Sequence, residues 1–144
     1  MSKTTSPFDY KTLAEVLLPQ GILKFFDVTN IFQEDTGYLE PTGKKKIVIH
    51  LFLDELDNRN EAWHDLKPNG FTEERAINDF PIRDHKVILH LRRRRWITED
   101  GKNQVFNLYD LIEDKTSYSK EFAGTLKKIF GYIPSDGPFT GALL

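Results

Sequence analysis

Four consecutive arginines, Arg92 to Arg95, close the apolar run Val87-Ile88-Leu89-His90-Leu91, and Trp96 follows them. The apolar run reads as a strand, and a strand sends alternate side chains to opposite faces. Arg92 and Arg94 therefore go to one face, Arg93 and Arg95 to the other. A helix would not divide them this way. Adjacent guanidinium groups repel one another, so a fold that keeps four of them in a strand needs a reason. One reason is an edge strand protected from aggregation by charge, with the arginine stems lying over Phe106 and Tyr109. A second is a hairpin that grips phosphates, since Arg matches phosphate bidentately and Trp96 or Tyr109 can stack on a base or pack under a guanidinium. A third is a protein interface, where Arg and Trp are enriched.

The net charge of −2 argues against nucleic acid only until its distribution is considered. Between Ile82 and Ile97 six Lys/Arg stand against one Asp, a local +5, and Arg83 and Lys86 extend the basic stretch. Much of the acid lies in Asp54–Asp65 and Asp110–Asp114. The 144 residues, 39% hydrophobic with eleven Phe, suit one domain with a modest core. Absence of Cys excludes disulfides and thiolate metal sites and fits a cytoplasmic location. No apolar run approaches the length of a membrane span.

The chain order predicts an α+β domain. Ser6 caps and Pro7 starts a first helix carrying Tyr10, Leu13, Leu17 and Leu18. Pro19 ends it, and Ile22, Leu23, Phe25 and Phe26 read as a second short helix, giving an N-terminal helix pair. Glu34-Asp35-Thr36-Gly37 reads as a turn. Ile47 to Leu53 is a strand rich in β-branched and aromatic residues. Pro68-Asn69-Gly70 is a turn, and Phe71 to Phe80 is extended with Ile77 and Phe80 inward. Lys86 to Thr98 is the central strand of a small antiparallel sheet. Asp100-Gly101 then closes an Arg-rich β-hairpin, pairing Trp96 with Val105, Arg94 with Asn107 and Arg92 with Tyr109, while Arg93 and Arg95 face Phe106 and Leu108. Ser117 or Ser119 caps a C-terminal helix that carries Phe122, Leu126, Ile129 and Phe130 and ends at Gly131. Residues 1–132 form the domain and 133–144 a flexible tail.

Little in the chain points to catalysis or a cofactor. There is no Gly-rich phosphate loop, nucleophile elbow or helical zinc motif. His85 and His90, five apart on a strand, point to opposite faces and do not share a metal.

Several blocks together resemble a known family. They are Leu17-Leu18-Pro19-Gln20-Gly21-Ile22 with Phe25-Phe26-Asp27; Ile77-x-Asp79-Phe80-Pro81-Ile82-Arg83; Val87-x-Leu89-His90-Leu91 with the arginine run and Trp96; and Ser119-Lys120-Glu121-Phe122-Ala123. Spanning roughly residues 13 to 130, they resemble the N-terminal region protein of bacterial insertion-sequence transposases whose DDE catalytic domain lies on a separate reading frame. The resemblance implies a non-catalytic DNA-binding or assembly module that handles the element's terminal repeats beside a separate DDE-type subunit. Arg92, Arg93, Arg94 and Arg95 would contact phosphates with Arg83 and Lys86, and Trp96 would pack or stack. Related single-chain transposases carry a Cys-x-x-Cys zinc ribbon after a similar Arg-rich strand. Here Thr98-Glu99-Asp100-Gly101-Lys102 holds no thiol, so no zinc is implied. The rival reading is a protein-interaction module whose basic hairpin docks on an acidic partner such as the catalytic subunit.

Overall fold

A computed structural model describes residues 10–59, 61–107, 109–113 and 116–134. Among the described residues the fold is mostly β, with two sheets and two α-helices, rather than the α+β arrangement with an N-terminal helix pair. In chain order the elements are α1 (Tyr10–Leu17), a 3-10 turn (Ile22–Lys24), β1 (Phe26–Leu39), β2 (Lys45–Glu55), a 3-10 turn (Glu61–Trp63), β3 (Lys67–Phe71), β4 (Arg75–Ile82), β5 (His85–Arg92), β6 (Arg94–Ile97), β7 (Asn103–Gln104) and α2 (Lys120–Phe130). The expected helix start at Ser6-Pro7, residue Leu108 and the tail from residue 135 lie outside the described residues.

The second helix of the expected pair is absent for a local reason. Gly21 takes the left-handed conformation at φ +81° and redirects the chain, leaving room for only three 3-10 residues before β1 begins. The apolar residues that suggested a helix still face inward: Ile22 and Phe26 are both buried. Glu34 to Gly37, expected as a turn, lie inside β1. An irregularity between Asp35 and Leu39 absorbs Gly37, whose N–H donates to Asp35 Oδ1 over 2.9 Å. The chain reverses instead at Glu40–Lys44, where Gly43 takes φ +89°.

One sheet has the order β1-β2-β5-β4, the other β3-β6-β7. The first is mixed, not antiparallel, because β2 and β5 run parallel, with Val48 opposite Lys86 and Asp54 opposite Arg92. Apolar alternation sets which face is dry. Leu51, Leu53, Ile77, Val87, Leu89 and Leu91 turn to one face and pack beneath Leu18, Ile22 and Phe26. A smaller cluster of Tyr118, Phe122, Ala123 and Leu126 fixes α2 beside β4, with Phe80 and Ile133 against it. Helix α2 follows its local signals. Ser119 Oγ accepts from Phe122 N–H, Gly131 ends the helix at φ +80°, and Lys127 and Lys128 occupy the last turn.

The expected central strand is two strands in two sheets. It breaks at Arg93, whose N–H donates to Thr72 Oγ1 (3.1 Å) and whose carbonyl accepts from Thr72 N–H (2.8 Å). The hairpin after it is also shorter than expected. Trp96 pairs with Gln104 and Ile97 with Asn103, one residue away from the expected register, and β7 is only two residues long. Thr98 and Lys102 close a three-residue loop in which Gly101, at φ +84°, supplies the left-handed residue. The expected pairings Arg94–Asn107 and Arg92–Tyr109 do not form, because β7 ends before them.

Candidate nucleic-acid interface

Each of the four arginines has its own environment. Arg92 ends β5 directly opposite Asp54 at the end of β2. The two form a bidentate pair, Nε to Oδ1 at 2.8 Å and Nη2 to Oδ2 at 2.6 Å, and the guanidinium lies 4.5 Å from the centre of the Phe71 ring. That pairing holds the Arg92 pKa above its ordinary value.

Arg93 turns inward at the break between the sheets. Its Nη2 donates to the Tyr109 carbonyl over 3.1 Å, its guanidinium sits 5.5 Å from the Phe26 ring, and its Nη1 lies 3.7 Å from Glu55 Oε2. Glu55 is 1% exposed. Burial pushes its carboxyl up and the Arg93 guanidinium down, in each case as the largest influence. Glu55 Oε2, Arg93 Nη1 and Asn58 Nδ2 are buried without a hydrogen-bond partner among the described residues. Glu55 Oε1 accepts the backbone N–H of Arg94 over 2.8 Å, so this carboxylate also ties down the first residue of β6.

Arg94 and Arg95 are held differently. Arg94 Nε donates to the Glu55 carbonyl at 2.8 Å, and Arg95 Nε donates to the Asn69 carbonyl at 3.2 Å. No acceptor among the described residues takes the Nη groups of either side chain. Gly70 lies beside Arg95 at φ +73°, a conformation that suits glycine, and a Cβ there would meet Nη2 at an ordinary contact distance of 3.5 Å. Trp96 is fully buried, donates Nε1–H to Asn58 Oδ1 at 3.1 Å, and carries the Arg59 guanidinium 4.6 Å from its ring centre. It packs and offers no face to a base.

Arg83 and Lys86 do not join this group. Five residues of extended chain lie between Lys86 and Arg92, a separation of about 20 Å at strand rise. Arg83 and Asp84 form the two-residue turn between β4 and β5, both at positive φ (54° and 68°). Asp84 lies 3.7 Å from Lys44 Nζ, so Arg83 and Lys86 share the opposite end of the sheet with Lys44 and Lys45, which precede and begin β2. The basic stretch is continuous in sequence and divided in space.

The fold also assembles a polar row that the sequence reading missed. His50 Nδ1 lies 2.7 Å from His90 Nε2; His50 Nε2 lies 2.8 Å from Glu34 Oε1, and His90 Nδ1 lies 2.7 Å from Glu74 Oε1. Phe52 stacks on His90 with ring centres 4.4 Å apart. The row crosses the sheet on the face away from the core. Its one sequence signal was that His50 and His90 both fall on the outward parity of their strands. Among the described residues no group of three or more His, Asp or Glu side chains is arranged to hold a metal. Nor is any described helix long and apolar enough to cross a membrane.

No family model, curated protein or solved structure matches this chain.

Proposed function

We propose that this chain is a non-catalytic DNA-binding and assembly module of a split insertion-sequence transposase, working beside a separate DDE-type subunit on the element's terminal repeats. The sequence blocks described above supply the class. The observation that carries the DNA contact is the anchoring of Arg94 and Arg95 through Nε to backbone carbonyls, which leaves the Nη groups of each guanidinium for a phosphate. A fork already held by the protein loses less side-chain freedom on binding an anion. Arg92 and Arg93 play a different part in this reading. They neutralise Asp54 and Glu55 near the end of β2, so the phosphate-facing group is narrower than the arginine run.

Two neutralised phosphates give a log–log salt slope of about −2 on duplex DNA. The test is fluorescence anisotropy with a labelled duplex of the element end. The double variant Arg94→Gln/Arg95→Gln should weaken binding at least about tenfold. Affinity that is flat in salt, or unchanged in the double variant, refutes the phosphate role. A pull-down of the DDE-type subunit from nuclease-treated material distinguishes the rival: capture without DNA, lost with the same two substitutions, means that the arginines serve a protein partner.

A further inference from the structure

Strand β1 is the edge of the mixed sheet, paired with β2 on one side and with no strand on the other among the described residues. It runs fourteen residues, and Thr29 to Asp35 are all exposed. Natural edges of this length are protected by lysines, prolines, bulges or a covering element, and the irregularities of β1, between Val28 and Asn30 and between Asp35 and Leu39, leave the stretch from Asn30 to Asp35 regular. From Phe26 to Leu39 there is no Lys, Arg or Pro; the charges are Asp27, Glu34 and Asp35, and Ile31 and Phe32 are 60% and 54% exposed. The Ile31 N–H is taken by Asn30 Oδ1 rather than by β2, so the backbone groups of Ile31, Gln33 and Asp35 are directed off the edge. Beside this edge an apolar groove of about 740 Å³ opens between α1 and the sheet, lined by Leu13, Leu17, Ile31, Ile49, Leu51 and Leu56 among others.

We propose that the β1 edge and this groove receive an extended segment of a partner protein as an added strand, with apolar side chains alternating with Lys or Arg. Backbone groups on β1 would pair with the segment, its apolar side chains would enter the groove, and its basic side chains would meet Asp27 and Glu34. A second copy of this chain is the wrong occupant. Antiparallel pairing of two β1 strands about Gln33 sets Glu34 of one strand diagonally beside Glu34 of the other, with no base on either strand between them. This inference goes beyond the DNA-handling reading and stands without it, because none of the arginines 92 to 95 takes part.

The test uses the full chain and a fluorescein-labelled peptide of about nine residues alternating Lys and Val. The controls are the same peptide with Glu for Lys, and Gln33→Pro in the protein. Proline at an outward-directed position removes an edge donor without touching the β2 ladder. We expect saturable binding of the Lys peptide, with exchange protection of the Gln33 and Asp35 amides. Binding should fall at least about tenfold for the Glu peptide and for Gln33→Pro. Leu17→Glu, in the groove rather than the edge, should weaken it as well, and circular dichroism confirms that each variant is folded. Three outcomes overturn the proposal: no binding of the Lys peptide up to about 1 mM; equal binding of the Lys and Glu peptides; or a concentration-dependent dimer that Gln33→Pro dissolves, which would make a second copy the occupant.

Discussion

Replacing Asp79 with Asn should stabilise this protein at alkaline pH and not at acid pH. Asp79 is 4% exposed, on the core-facing side of β4, and its Oδ1 accepts the Ser119 hydroxyl at 2.7 Å. Burial pushes its carboxyl from 3.8 up to about 6, against the lowering influence of the Ser119 and Phe80 hydrogen bonds and with a small push from Glu121. The folded pKa lies above the unfolded one, so the unfolded chain releases this proton first as the pH rises. The contribution of Asp79 to stability is therefore fully present below about pH 4 and is lost as the pH climbs through about 6. At about 1.4 kcal/mol per tenfold change in proton affinity, the ionised carboxylate costs roughly 3 kcal/mol at pH 8, of which about 2.4 kcal/mol appears between pH 4 and pH 8. Asparagine keeps the acceptor for Ser119 and never ionises. Its amide brings new donors into a buried place, a roughly constant cost of about 1–2 kcal/mol. Urea unfolding of both proteins at pH 4 and pH 8, followed by tryptophan fluorescence, separates the two effects. The variant should be less stable than the parent at pH 4 and should gain about 2 kcal/mol relative to it by pH 8. An identical difference at the two pH values would refute the reasoning, because only ionisation of Asp79 can make it change.

The arginines should differ as their surroundings do. Arg93→Met keeps apolar contact with Phe26 but strands the buried Glu55, and should cost about 3 kcal/mol in denaturant unfolding, whereas Arg92→Ala removes a partly exposed pair and should cost less than about 1 kcal/mol. Equal costs would show that the buried position of Glu55 has been misread. Trp96→Phe should lose about 1–3 kcal/mol through the Asn58 hydrogen bond and the lost ring volume. In the parent, iodide should quench Trp63 and leave Trp96 dark to it, so the variant should lose the protected fraction of the emission.

What could be read from the sequence was what depends on near neighbours. Helix α2 carries its own start in Ser119 and its own stop in Gly131, and β2 declares itself through Ile47 to Leu53. The turn at Asp100-Gly101 was located by its chemistry, but Gly101 is the left-handed residue of a three-residue loop, so the register fell one residue away. The parallel pairing of β2 with β5 has no local signal, and everything that depends on it was hidden. Without it Asp54 cannot be seen opposite Arg92, nor His50 beside His90. Strand alternation alone predicted two faces for the arginines. The break at Arg93 is imposed by Thr72 and Glu55, which are distant in sequence, and it gives each arginine a separate role.

Four identical residues in a row carry no information about alignment. A one-residue slip of β5 against β2 that brings Arg93 opposite Asp54 would still pair the carboxylate, so electrostatics alone cannot tell the correct pairing from that neighbour. The ambiguity is resolved at the two ends of the run, by Leu89 and Leu91 before it and Trp96 after it, all of them buried. The arginine run is thus tolerant of its own position and depends on its flanks. A substitution at Leu91 or Trp96, where no charge changes, is the one that should scramble which guanidinium meets which carboxylate.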